Sequence, residues 1–231
     1  MFVPVYDDNP LRGIRFQYVT VALIALNVAV FLMQVTGLQM QAVASFGIVP
    51  AKLLAAPLSA GAVSLPVNFQ QLPQWVTVIT YMFFHGDIWH IGSNMLFLWV
   101  FGDNVEDALG HVKFLGFYLA CGVFAGLAHA LMQPSSSIPL IGASGAVAGV
   151  IAAYVMLYPR VMVWVLAFRI IPLHITAGFA IGAWILTQFV MVFLPQSGPV
   201  LPIAWWAHIG GLVAGAILVL VLRRPGVRLF A

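Results

Sequence analysis

Charge is what this chain has least of. Only 6% of its 231 residues are charged, 63% are hydrophobic, and the mean hydropathy is +1.06. A soluble domain carries roughly 25% charged residues. A globule this poor in charge could not cover its own surface in water. Disorder and coiled coil are excluded by the same shortage. A nucleic-acid module is excluded as well: the formal net charge is +3, but nine basic residues spread along the chain form no patch. A single cysteine, Cys121, allows neither an internal disulfide nor a cysteine-ligated metal site, and reads as core packing. Internal repeats and low-complexity tracts are also missing. What remains is the composition of a multi-pass membrane protein.

A spanning helix takes about 20 residues. Apolar runs predict six, at 17–37, 87–107, 113–133, 143–158, 173–194 and 205–222. Between the first two lies a mildly apolar stretch broken by Pro50, Pro57, Pro66 and Pro73. It reads as a long outer loop, about 38–86, with interfacial pieces; Trp75 suits a membrane boundary. Within it Ala42-Val43-Ala44 has the form of a signal-peptidase site but sits well past the first apolar run, which is therefore read as a span. The segment 161–168 is open to reading as an interfacial helix leading into the fifth span. The expected organisation is an all-α membrane protein. It has a short tail at 1–16, a six-helix domain at 17–222 and a basic tail at 223–231.

Basic residues set the orientation. Six spans put both termini on one side, which then collects Arg12, Arg15, Lys113, Arg160, Arg169, Arg223, Arg224 and Arg228. The other side has Lys52. Both termini should be cytoplasmic. Gly145 and Gly149 in the fourth span, and Gly211 and Gly215 in the sixth, have the four-residue spacing that lets helix backbones approach closely in lipid. Spans four and six should touch.

A polar side chain inside a span is costly and usually functional. At a rise of 1.5 Å per residue, His90 lies roughly 20 Å above Asp103, Ser144 roughly 24 Å above Arg160, and His208 roughly 22 Å above Arg223. Three polar residues on three helices thus share one level in the outer half of the membrane. Ser144 opens a helix after Gly142-Ala143, where small neighbours leave its hydroxyl accessible and the positive helix end favours an oxyanion. Serine needs a base to be a nucleophile, and His208 at matching depth supplies one. With no Asp or Glu at that level, this is a dyad whose histidine must be oriented by packing and other hydrogen bonds. His90 and Asn94, four apart on one helix face, can donate to a tetrahedral intermediate. His85, Asp87 and His90 fit no helical zinc pair, so no metal is expected. Asp103 and Asp107 sit at the charged end and form no buried carboxylate pair. His111, His129 and His174 are read as structural.

These pieces in their order are the run His90-Ile91-Gly92-Ser93-Asn94-Met95, the Gly102 to Glu106 spacing, Gly142-Ala143-Ser144-Gly145, and Ala207-His208-Ile209-Gly210-Gly211 with Gly215. Together they resemble the rhomboid intramembrane serine proteases across nearly the whole chain. The resemblance implies a six-helix bundle with both termini cytoplasmic and a site open to water on the outer side. It implies Ser144 as nucleophile and His208 as base, with His90, Asn94 and the Ser144 backbone N–H as the oxyanion hole. Glu106 and His85 match family positions of structural character. The implied partners are the lipid bilayer and single-span membrane proteins, cut near the outer end of a helix that unwinds there. No cofactor, metal or nucleic acid is implied. The sequence departs from the family at Ala148, where some members place an aromatic ring against the catalytic histidine. The short chain without a transit-like N-terminus leads to the expectation of a bacterial inner membrane. Two other readings remain: a catalytically inactive relative that binds transmembrane segments, and an unrelated six-span transporter. The latter would need paired charges or broken helices near the midplane.

Overall fold

The computed structural model describes residues 2–36, 39–57, 72–167, 170–194 and 204–231. Pro66 and Arg169 lie outside the described residues. In chain order the elements are strand β1 (Phe2–Asp7) and helices α1 (Tyr18–Val35), α2 (Gln39–Phe46), α3 (Pro50–Leu53) and α4 (Gln74–Thr80), the last running into a 3-10 turn, Tyr81–Phe83. There follow α5 (Ile88–Leu109), α6 (His111–Met132), α7 (Ser144–Leu157), strands β2 (Met162–Ala167) and β3 (Ile171–Thr176), and helices α8 (Ala177–Val192) and α9 (Trp205–Leu222).

Helices form where the apolar runs predict them, and the described helices between the first two runs are short ones bounded by prolines. Pro50 opens α3 and Pro73 precedes α4, positions where the missing N–H costs nothing. Among the described residues, α1, α6 and α9 are long and apolar enough to cross a membrane; α7 and α8 are shorter apolar helices. α5 matches α6 in length but carries Asp103, Glu106 and Asp107 near its end. The burial pattern is inverted relative to a soluble bundle. On α1, Thr20, Asn27 and Gln34 recur every seven residues on the buried face, while Leu26, Leu32 and Met33 are exposed. On α9, Val213, Ile217 and Val221 face outward. Water would penalise such an apolar exterior; lipid does not.

The all-α expectation is corrected by a three-stranded antiparallel sheet, in the order β1-β2-β3. Its first strand takes in residues 2–7 of the expected 1–16 tail, and its second takes in residues 162–167 of the ambiguous 161–168 segment, which are strand and not interfacial helix. Val163 and Val165 point into the core while Trp164 points out and stacks on His174, with ring centroids 4.6 Å apart. The expected fifth span starts late for the same reason: Leu173 to Thr176 belong to β3, and the Thr176 hydroxyl caps α8.

Basic residues gather at the sheet end. Lys113 Nζ donates to the Leu222 carbonyl, Arg160 to that of Phe230, and Arg224 to that of Gly13. Lys52 belongs to α3, whose Ala51 N–H donates to Ser136, just past the far end of α6. At 22 residues α6 is roughly 33 Å long, and α7 with 14 is roughly 21 Å. Gly145 and Gly149 of α7 pack on Ala125 and Cys121 of α6, so α7 begins about seven residues, some 10 Å, short of the α6 end at Met132. The serine that opens it is therefore sunk below the rim.

Candidate active site

Small residues bring the helices together. A Cβ on Gly211 of α9 would land on the carbonyl oxygen of Gly145 in α7, and one on Gly215 would land on that of Gly149. A Cβ on Gly149 would lie 2.5 Å from Cys121 Sγ on α6. The expected contact between the fourth and sixth apolar helices is thus a backbone contact, of the kind glycine pairs make in lipid. Cys121 is a buried packing residue at this junction.

The loop entering α7 is pinned on three sides. Ile48 and Leu140 exchange backbone hydrogen bonds of 3.0 and 2.7 Å. Gly142 N–H donates to the Tyr81 carbonyl at 3.0 Å, and Ala143 N–H to His85 Nε2 at 3.4 Å. Gly142 has φ +118°, a left-handed conformation that favours glycine. His85 is fully buried. Burial first, then the nearby His90, push its pKa down to about 3. Its neutral ring can therefore accept the Ala143 proton. Ser144 is the first residue of α7, whose first bond runs from Val147 N–H to the Ala143 carbonyl. The amides of Ser144, Gly145 and Ala146 precede that bond and point out of the helix at its positive end.

His208, on the first turn of α9, faces Ser144 with Nε2 2.9 Å from Oγ. Its Nδ1 lies 2.7 Å from Oε1 of Gln188 on α8. Trp205 meets its ring edge-on at 5.8 Å and Trp184 lies tilted at 6.1 Å. Ala148 is buried, and these two indoles, from α9 and α8, flank the histidine in place of an aromatic at that position. Gln188 was not among the residues singled out from the sequence. The signal was available: an amide in the middle of an apolar run is as costly in a span as a histidine.

His90 and Asn94 sit in the first two turns of α5. Asp87 caps this helix, accepting from Trp89 and His90 N–H at 2.8 Å each. His90 Nδ1 accepts from Gly86 N–H at 3.4 Å, which leaves the ring proton on Nε2. That nitrogen faces the loop before Ser144: a Cβ on Gly142 would be 2.6 Å from it. Asn94 Nδ2 donates to the His90 carbonyl at 3.0 Å, using one of its two protons. Among the described residues, neither His90 nor Asn94 hydrogen-bonds Ser144 itself. The structure therefore brings His90 beside the serine's loop and puts Asn94 one turn further along the same helix.

The remaining acids, with His111 and His174, hold the far end. Glu106 accepts from Val19 and Thr20 N–H at 3.0 and 2.8 Å, from the Thr20 hydroxyl at 2.7 Å, and pairs with His111 Nδ1 at 2.5 Å. It caps α1 from a different helix. Asp107 accepts from the N–H groups of Arg12, Gly13 and Ile14. His174 pairs with Asp8 at 2.7 Å. His111 and His174, read from the sequence as structural without a named partner, each have an acidic one.

Comparison with known proteins gives the family. The Rhomboid domain family model matches residues 72–225. Rhomboid protein 1, mitochondrial, of Saccharomyces cerevisiae is 29% identical over 150 residues, covering 62% of this chain and 40% of that protein. Rhomboid protease GluP of Bacillus subtilis is 31% identical over 158 residues, covering 66% and 27%. RHOMBOID-like protein 12, mitochondrial, of Arabidopsis thaliana is 32% identical over 157 residues, covering 61% and 44%. The chain spans less than half the length of each. Two of the three carry mitochondrial names, so the expected bacterial inner membrane draws no support from them.

Proposed function

The chain belongs to the rhomboid family, and from that premise we propose that it is a serine endopeptidase cutting transmembrane segments of membrane proteins within the bilayer, near its outer face. The observation that carries the reading is the 2.9 Å contact between His208 Nε2 and Ser144 Oγ. Six helices, α1 and α5 to α9, cross the membrane with both termini on the basic, cytoplasmic side. The long stretch between α1 and α5 lies outside.

In the first step Ser144 Oγ attacks the scissile carbonyl carbon while His208 Nε2 takes its proton. The carbonyl oxygen becomes an oxyanion between the Ser144 backbone N–H, the His90 Nε2–H and the second amide proton of Asn94. One such donor is typically worth about 2.7–4 kcal/mol in the transition state. Collapse breaks the C–N bond, and His208 returns the proton to the leaving amine. Water, deprotonated by His208, then attacks the acyl-enzyme and frees Ser144. A helical substrate has its carbonyls engaged in i to i+4 bonds, so the segment must unwind before Ser144 can reach one. The sunken N-terminus of α7 meets it at that depth.

The test is labelling of the detergent-purified protein by a fluorophosphonate probe, in wild type, Ser144→Ala and His208→Ala. Wild type should label and both variants should not. Unchanged labelling of Ser144→Ala would overturn the nucleophile. No labelling of folded wild type would favour the non-cutting relative that only binds transmembrane segments.

A further inference from the structure

We infer that Gln188 is a positioning residue. From α8 its amide oxygen fixes His208 in the tautomer whose bare Nε2 faces Ser144, the task an acid performs in a triad. This rests on the reading of Ser144 and His208 as nucleophile and base.

The argument is one of proton counting. Gln188 is only 3% exposed, and its amide is fully committed. Nε2 donates to the Trp184 carbonyl at 3.0 Å and to Thr187 Oγ1 at 3.0 Å. The Thr187 hydroxyl donates its own proton to the Trp184 carbonyl at 2.6 Å, so its oxygen is free to accept. Turning the amide over would break both Nε2 bonds. Oε1 is therefore the atom facing His208 Nδ1 at 2.7 Å, and an amide oxygen only accepts. Nδ1 must carry the ring proton. A neutral imidazole has one such proton, so Nε2 is unprotonated and 2.9 Å from the Ser144 hydroxyl. When Nε2 takes the serine proton, the Nδ1–H bond to Oε1 stays in place and the imidazolium keeps its partner.

The choice of an amide follows from the surroundings. A carboxylate at this depth would put an unpaired charge in the membrane, which is expensive. Glutamine supplies the same acceptor geometry without it. An amide orients the histidine in Cys-His-Asn proteases on an unrelated fold. The arrangement spreads the site over three helices: α7 carries Ser144, α9 His208, and α8 the residue that sets the base. His208 is correctly primed only while α8 is seated against α9.

Two measurements on the detergent-purified full chain test this. Nitrogen-15 NMR of histidine-labelled protein, with the His208 signals assigned by their loss in His208→Ala, reads the tautomer directly. Fluorophosphonate labelling, resolved into probe binding and the inactivation step, reads the chemistry. Wild type should show His208 protonated at Nδ1. Gln188→Leu should show mixed tautomers and an inactivation step slowed by roughly 10- to 100-fold with probe binding unchanged. A wild-type His208 protonated at Nε2 would overturn the proposal whatever the variants do. So would a Gln188→Leu protein that melts and labels like wild type. If folded wild type fails to label at Ser144, the protease reading falls, while the NMR arm still decides whether Gln188 sets the tautomer.

Discussion

Gly211→Ala puts one methyl group where the structure has none to spare. The new Cβ would land on the carbonyl oxygen of Gly145 and lie 3.3 Å from the Ala148 Cβ. Neither obstacle is the loose end of a side chain, so α7 and α9 must part, by roughly 1 Å. Overpacking of this kind costs about 1–3 kcal/mol. Alanine returns about 1 kcal/mol through helix propensity. The net loss is about 0–2 kcal/mol, toward the upper end because the main clash is with backbone. The effect on the site is larger than the effect on stability. His208 lies one turn before Gly211, and parting the helices by roughly 1 Å takes the 2.9 Å contact with Ser144 beyond hydrogen-bond range. A 1 Å misplacement can cost about 100-fold in rate. The assay is the rate of fluorophosphonate labelling per folded molecule, measured beside thermal melting in the same detergent. Gly116→Ala on α6 is the control: nothing lies within 4 Å of its Cβ. It should label like wild type and melt at the same temperature or a little higher. A Gly211→Ala protein that labels at the wild-type rate would refute the claim that glycine contact between α7 and α9 sets the Ser144–His208 distance.

Two further predictions concern the far end of the bundle. Glu106→Ala strands the N–H groups of Val19 and Thr20, the Thr20 hydroxyl and His111. It should cost about 3–5 kcal/mol of stability by thermal melting, with Glu106→Gln less severe. Labelling per folded molecule should hold, since Ser144 is at the opposite end of the molecule. Burial pushes Asp7 up to about 6, against the opposing pull of the hydrogen bond it accepts from the Tyr154 hydroxyl. The folded chain therefore holds this proton more tightly than the unfolded one between about pH 4 and 6. The stabilisation is complete below that window and lost as pH rises through it. Asp7→Asn should melt higher than wild type at pH 8 and level with it at pH 4; an equal gap at both pH values would refute the assignment.

Much of the site was legible before folding. Hydropathy marks helices because a membrane leaves few alternatives to them, and α1, α6 and α9 fall within a residue or two of the apolar runs. Ser144 and His208 could be paired because the rise per residue put them at one depth and the glycine spacings put their helices in contact. The sheet was not legible. In 162–167 every residue is apolar but one strand face is buried and the other is not, so the period of two that betrays a strand is absent. Its partner β1 lies some 160 residues away in the chain.

Local chemistry in the sequence thus determined that this is a membrane protein, where its helices run, and which serine and histidine stand at one level. Those follow from transfer energies and helix rise, which depend on residues one at a time. Only the tertiary structure decided how the histidine is held. Ala148 announces that a ring is missing, but the replacements arrive from elsewhere: Trp184 and Gln188 from α8, Trp205 from α9. Their arrival depends on how helices seat against one another, through packing that no single stretch of sequence contains.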